Sequence, residues 1–381
     1  MSGPTEGRSQ PGDGRNIDPT VGILEGEASE QQAPRQRAGA EGSPPFEVWS
    51  GMPAQDGRVL APWEEREPTY YDRPVLKEPV WIWAVPAYFY AGGAAGAAAV
   101  LGATAQAFGG HQLHGLVTRC RWIAAVGGAV GTGLLVYDLG RPDRFLNMLR
   151  VFRPSSPLNL GSWVLAAAGP LTAGSAVLAG STGAVGAIGD VAGYAAGAVG
   201  LPLSGYTSVL LSNTAVPVWS QMRRTLPALF VSSGMTAAAS LLELMKLSPR
   251  EERIVHRFSV TAKVAELAAT AGVEQEAGRV ERVSKPLREG RSGLWLRAAK
   301  TATAVSLALS LVPGKGNHRR KAAAILATVG ALCYKFGIFY AGQPSALDPR
   351  ATFRMQRAGY GGAETTGRAA VTGPGESRAG G

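Results

Sequence analysis

Apolar residues in this chain fall in long uninterrupted runs rather than at the intervals of a surface helix. No Lys, Arg, Asp or Glu occurs over residues 80–118, 154–189 or 191–222. A largely apolar run of about 18 or more residues is long enough to cross a bilayer as a helix. The pattern therefore predicts an all-α, polytopic transmembrane bundle.

Turn signals divide the runs into spans. The first covers about 81–108, opening with Trp81 and Trp83 as interfacial anchors and continuing through Gly92, Gly93 and Gly96, where a neighbouring helix can approach closely. The second covers 116–137. The run after Arg153 is too long for one helix, and Gly180-Ser181-Thr182-Gly183 splits it into spans at 161–179 and 187–216. Pro170 and Pro202 are expected to break those two spans, and Pro217 with Trp219 to mark the next surface. Further spans are expected at 226–244, 295–311 and 322–339. Residues 254–273 carry Lys263 and Glu266 inside an apolar period and read either as a span or as an amphipathic helix lying flat. The bundle thus has about eight spans with both termini on one side, or seven with the termini opposed.

Outside the spans the composition changes. Residues 1–78 hold 8 Lys and Arg against 14 Asp and Glu, a net −6, whereas the remainder holds 30 against 14, a net +16. Residues 1–45 lack any helical or strand period and are expected to be a disordered tail. Residues 46–80 gather aromatic and proline residues and read as an interfacial leader. The bundle is placed at 81–342 and a C-terminal extramembrane tail at 343–381. Basic residues divide almost evenly between the two sets of loops, so charge does not orient the bundle.

Two cysteines, Cys120 and Cys333, are too few for an iron–sulfur cluster or a structural zinc site. Both read as buried free thiols. A membrane b-type haem needs axial ligands inside the spans, and His111, His114, His256 and His318 all fall in loops or at span ends. No metal, haem or iron–sulfur cluster is expected in this chain.

The most distinctive stretch is Asp138-Leu139-Gly140-Arg141-Pro142-Asp143-Arg144-Phe145-Leu146-Asn147-Met148, followed by Ser156-Pro157 and Gly161-Ser162-Trp163. Asp138 ends a helix, Gly140 and Pro142 make the turn, and a short helix from Pro142 would set Arg141 and Arg144 one turn apart. Such a loop is either a headgroup anchor between two spans or a fixed docking surface.

These residues resemble the NrfD / polysulfide reductase family of membrane subunits. So do the leader Glu78-Pro79-Val80-Trp81-Ile82-Trp83-Ala84-Val85-Pro86-Ala87-Tyr88-Phe89 and the segment Leu203-Ser204-Gly205-Tyr206-Thr207-Ser208, continuing to Pro217-Val218-Trp219. The resemblance spans about residues 68–357. It implies a multi-pass subunit of the cell (cytoplasmic) membrane in anaerobic respiration, with no nucleic-acid partner. Such a subunit binds menaquinone or ubiquinone and exchanges electrons with an iron–sulfur, ferredoxin-like subunit that serves a molybdopterin catalytic subunit. On that resemblance Trp83, Tyr88 and Tyr206 are the quinone-binding candidates, with Val85 and Tyr88 standing where some relatives place a stronger donor or base. Asp138 is the catalytic proton acceptor, Arg141 and Arg144 dock the partner, and Glu266 is a candidate proton relay. A structural anchor without quinone chemistry and a secondary transporter are the alternatives.

Overall fold

The computed structural model describes residues 74–139, 142–314, 316–358 and 360, together with two short strands, Ile17–Asp18 and Ile23–Leu24, paired antiparallel. The strands belong to a unit ending at Thr69, separate from the helical unit that begins at Tyr70. The expected tail at 1–45, most of the leader and the last residues of the C-terminal tail lie outside the described residues.

Eight long helices make up the bundle: α1 Ala84–Gly109, α2 His114–Asp138, α3 Pro157–Val177, α4 Gly183–Ser212, α6 Leu226–Glu243, α7 Pro249–Ala277, α9 Gly290–Leu311 and α10 Asn317–Leu347. Three short helices, α5 Pro217–Gln221, α8 Glu281–Arg288 and α11 Pro349–Arg357, lie between or after them. Helices α1, α2, α3, α4, α6 and α10 are long and apolar enough to cross a membrane. Helices α7 and α9 are equally long but carry more charge.

The helix α7 nevertheless packs within the bundle rather than lying apart from it. It packs antiparallel to α6, with Val255 beside Leu242 in one apolar cluster and Glu276 accepting from Thr225 Oγ1 at 2.6 Å. Its two mid-helix charges point inward: Lys263 and Glu266 are fully buried, whereas Thr261, Val264 and Ala268 face out. Ser248 starts the helix with a capping box, its hydroxyl accepting from Glu251 N while Glu251 accepts from Ser248 N at 2.8 Å. Glu251 also pairs with Arg119 of α2 at 3.3 Å.

Glycine stripes set the spacing of the first half. A Cβ on Gly96 would meet the Gly200 carbonyl at 2.6 Å, and one on Gly234 would meet the Gly93 carbonyl at 2.8 Å. Helices α1, α4 and α6 therefore touch backbone to backbone. Arg121 of α2, though buried, donates to Asp190 Oδ1 of α4 at 2.7 Å, Gln106 Oε1 at 2.9 Å and the Ser175 carbonyl at 3.3 Å, its Nε alone finding no acceptor.

The two ends of the bundle differ. At one end, here the turn face, helices are joined by the short connections 110–113, 178–182, 244–248 and 312–316. The other end, the cap face, carries residues 74–83, the loop between α2 and α3, α5, α8 and α11. Residues 74–83 and α11 both lie on it, as expected for an even number of crossings.

Four sequence expectations need correction. Pro170 and Pro202 sit inside continuous helices, because neighbouring helices and small local adjustments tolerate the missing donor in a membrane helix. Trp219 does not mark a surface: it is almost fully buried in the cap and donates its indole N–H to the Ile338 carbonyl at 2.8 Å. Trp81 is no belt anchor either. Its ring stacks on Trp219 at 6.2 Å and on Phe339 at 6.4 Å, closing the cap from the leader side. Helix α10 also runs past 342 to Leu347, where Asp348 caps α11 and pairs with Arg282 of α8 at 2.6 Å.

Candidate functional site

Tyr88 lies on the second turn of α1, fully buried, its ring against Gly92 and against Gly131 of α2. Tyr206 comes down α4 from the other side and lays its ring over Gly161 of α3. At 131 and 161 the side-chain volume that glycine leaves free is taken up by a tyrosine ring. The two phenols lie within electrostatic reach of one another. The Tyr88 hydroxyl nevertheless completes no hydrogen bond of regular geometry. A buried hydroxyl without a partner is rare and points to a group that the protein itself does not supply.

A cleft of about 280 Å³, which neither phenol lines, opens between α2, the 3₁₀ helix Pro142–Leu149 and α3. Its walls are mostly apolar, with Phe145, Met148, Leu149 and Leu165 on the sides and Thr132 and Ser162 as its polar edges. Leu165 lies one turn along α3 from Gly161, so the cleft and the Tyr206 ring share a helix.

The loop over the cleft is fixed by Asn159. Its amide donates to the carbonyls of Met148 at 3.0 Å and Val151 at 2.8 Å, and its oxygen accepts from Arg153 N at 2.6 Å. Leu146, Val151 and Phe152 remain exposed on the outside, with Phe152 edge-on to Trp163.

Other expected site residues sit apart from the phenols. Asp138 is half-buried and accepts from Ile82 N at 3.1 Å, so it clasps the leader to the end of α2. Trp83, 52% exposed, leans on Tyr137 with ring centroids 6.3 Å apart and points away from Tyr88. Arg144 lies in the 3₁₀ helix, and Arg141 falls outside the described residues.

Glu266 belongs to a second polar centre, between α6, α7, α9 and α10. One carboxylate oxygen accepts from Thr303 at 3.4 Å, and the other has no partner. Ser233 and Thr236 of α6 and Lys335 of α10 face the same carboxylate. Lys335, buried, donates to the Phe230 carbonyl at 3.2 Å and stands over the Phe230 ring at 3.7 Å. Lys263 bonds Ser310 at 2.9 Å and pairs with Glu243 at 3.8 Å. Sequence reading missed Lys335, although it is the lone charge between Lys321 and Asp348. That isolation was the available signal.

A bundle of apolar helices holding buried ionisable groups defines a multi-pass membrane protein. The model of the NrfD-type polysulfide reductase family matches residues 69–348, and the chain belongs to that family of oxidoreductase-complex membrane subunits. No curated protein matches the chain.

Proposed function

We propose that this chain is the quinone-reactive subunit of a respiratory oxidoreductase in the cytoplasmic membrane. It binds menaquinone or ubiquinone at the cap face and exchanges electrons with an iron–sulfur subunit docked there, which serves a molybdopterin subunit. The observation that carries the reading is the buried Tyr88 hydroxyl, which faces Tyr206 without a hydrogen bond of regular geometry, with an apolar cleft starting one turn along α3 from the Gly161 that the Tyr206 ring covers. A quinone site needs donors for two ring carbonyls and an apolar slot for the tail, and these residues fit that requirement.

Bound quinol supplies two electrons and two protons. Tyr88 and Tyr206 hold and orient the head group through their hydroxyls. The cleft lined by Phe145, Met148 and Leu165 excludes water from the tail. Asp138, at the rim, takes a released proton through water, because its bond to Ile82 N leaves it at the surface end of α2 rather than against the phenols. Trp83 flanks the entrance on the lipid side. The loop clamped by Asn159 offers the partner the exposed Leu146, Val151 and Phe152, and Arg141 and Arg144 add docking cations. Glu266 serves as a proton relay deeper in the bundle.

Quinol-dependent turnover of the assembled enzyme tests the reading. Tyr88→Phe and Tyr206→Phe should each weaken quinol interaction by about 1–3 kcal/mol, the scale of one desolvated hydrogen bond, without preventing assembly. Unchanged turnover and affinity in both variants would remove the site.

A further inference from the structure

The ionisable groups around Glu266 form a line rather than a cluster. Helix α6 turns Ser233, Thr236, Ser240 and Glu243 inward, α7 turns Ser259, Lys263, Glu266 and Thr270 inward, and α9 adds Thr303, Ser306 and Ser310. Each set repeats at three- and four-residue steps, so each is one stripe along its helix. All but Ser310 are buried. Burying charge in a membrane interior is expensive, and such residues mark ion or proton routes by default.

The line begins at the turn face and ends inside the bundle. Glu243, the last residue of α6, is itself buried, but exposed His256 and partly buried Arg320 lie within electrostatic reach of its carboxylate. Arg320 is in turn paired with Glu252 on the surface. Inward, Lys263 lies within reach of both Glu243 and Glu266. Glu266 faces Lys335, Ser233, Thr236 and Thr303, with Tyr334 near it on α10. Beyond Lys335 the line stops. Phe230 packs on Phe89 at 5.7 Å, and Phe89 touches Phe339 and the Tyr88 ring, leaving an apolar plug beneath the cap.

A purely structural salt-bridge network would satisfy its members, since a half-satisfied buried network is costly. Here one oxygen each of Glu243 and Glu266 and the hydroxyls of Ser233, Thr236 and Ser259 complete no hydrogen bond of regular geometry. They face one another instead, Ser259 and Lys263 toward Glu243 and Ser233 and Thr236 toward Glu266, so the line is continuous but loosely bonded, as a route for protons requires.

We propose that α6, α7, α9 and α10 enclose a proton-transfer path beginning at the turn face and ending at Glu266 and Lys335 under the aromatic plug. The Glu243 carboxylate takes a proton from the aqueous face. The Lys263 ammonium gives one N–H proton to the Glu266 carboxylate and regains a proton from the Glu243 carboxyl. Each hand-over breaks one N–H or O–H bond and makes another, so no electrons move and no co-reactant is consumed. Lys335 and the hydroxyls of Ser233, Thr236 and Thr303 stabilise Glu266 in either state. The path deepens the relay role given to Glu266, and it serves the face opposite the phenol pair.

The experiment uses the full-length chain in lipid vesicles without quinone, so its result stands apart from that of the phenol variants. The protonated-carboxyl infrared band is followed after an external pH jump, in vesicles sorted by which face is outward. A band lost in Glu266→Gln should respond promptly when the turn face is outside and slowly when the cap face is outside. Glu243→Gln should keep that band but slow its response by about 10²-fold, the scale of removing one positioned acid–base group. Matching size-exclusion profiles establish that both isosteric variants fold. The proposal is overturned if no titrating band is lost in Glu266→Gln, if the band responds equally from both faces or faster from the cap face, or if Glu243→Gln leaves its rate unchanged.

Discussion

The Tyr206 ring covers Gly161 so closely that a Cβ there would meet the ring at 2.0 Å and its hydroxyl oxygen at 2.4 Å. Because the obstructing atoms are the far end of a side chain, Gly161→Ala should move the tyrosine rather than unfold α3. The expected outcome is a bundle of near-normal stability whose quinone affinity falls as in Tyr206→Phe. Quinone titration of the purified variant checks this, and an unchanged affinity would separate Tyr206 from the ligand.

The contact between Gly96 and Gly200 behaves differently. There a Cβ would strike the carbonyl of the facing helix at 2.6 Å, and backbone has no rotamer to change. Gly96→Ala and Gly200→Ala should each push α1 and α4 apart and lower the unfolding temperature in detergent far more than Gly169→Ala, where a Cβ meets nothing. Equal melting of the three variants would contradict close packing at this crossing.

Most of the fold was legible because a bilayer demands long apolar helices, and the three charge-free runs announced α1, α3 and α4 directly. Helix α7 was ambiguous for a physical reason. Hydropathy sums over all faces of a helix, whereas Lys263 and Glu266 share only the inward face, so a span with a polar interior resembles a surface helix in one dimension. Prolines at 170 and 202 misled because the rule that they break helices comes from water-exposed backbone. Trp81 and Trp219 misled because a tryptophan at a span end suits a lipid belt or a buried cap equally well, and only the partner ring decides. For the site, Tyr88 and Tyr206 were readable through resemblance, and the structure brings them together. The Asp138 clasp on Ile82 and the outward lean of Trp83 were not, since both depend on the angle at which the leader enters α1.

Asn159 ties the 138–153 loop to α3 by three hydrogen bonds and has no part in the cleft lining. Asn159→Ala should free residues 148–153 while leaving the helices intact. Amide hydrogen exchange should rise in that loop alone, and binding of the iron–sulfur partner should weaken through the ordering cost it then carries. Exchange unchanged in the loop would show that Asn159 does not hold it.

Arg121 crosslinks the first four helices: it sits on α2 and bonds Gln106 of α1, the Ser175 carbonyl of α3 and Asp190 of α4. Its partners are unequal, because the guanidinium is 6% exposed while the Asp190 side chain is 58% exposed. Solvent weakens the ion pair from the aspartate side, and exposed pairs contribute about 0–1 kcal/mol. Asp190→Asn keeps an oxygen acceptor for the guanidinium and should destabilise the bundle by no more than about 1 kcal/mol. Arg121→Ala removes all three bonds and leaves the Ser175 carbonyl without its donor, a loss on the order of 1–3 kcal/mol for each buried group left unsatisfied. Arg121→Lys should fall between them, since an ammonium cannot reproduce the guanidinium fork that spans three helices. Thermal unfolding of the three variants in one detergent should therefore rank Asp190→Asn above Arg121→Lys above Arg121→Ala. A melting point for Asp190→Asn as low as that of Arg121→Ala would mean that the ion pair, not the bridging of helices, is what this arginine contributes.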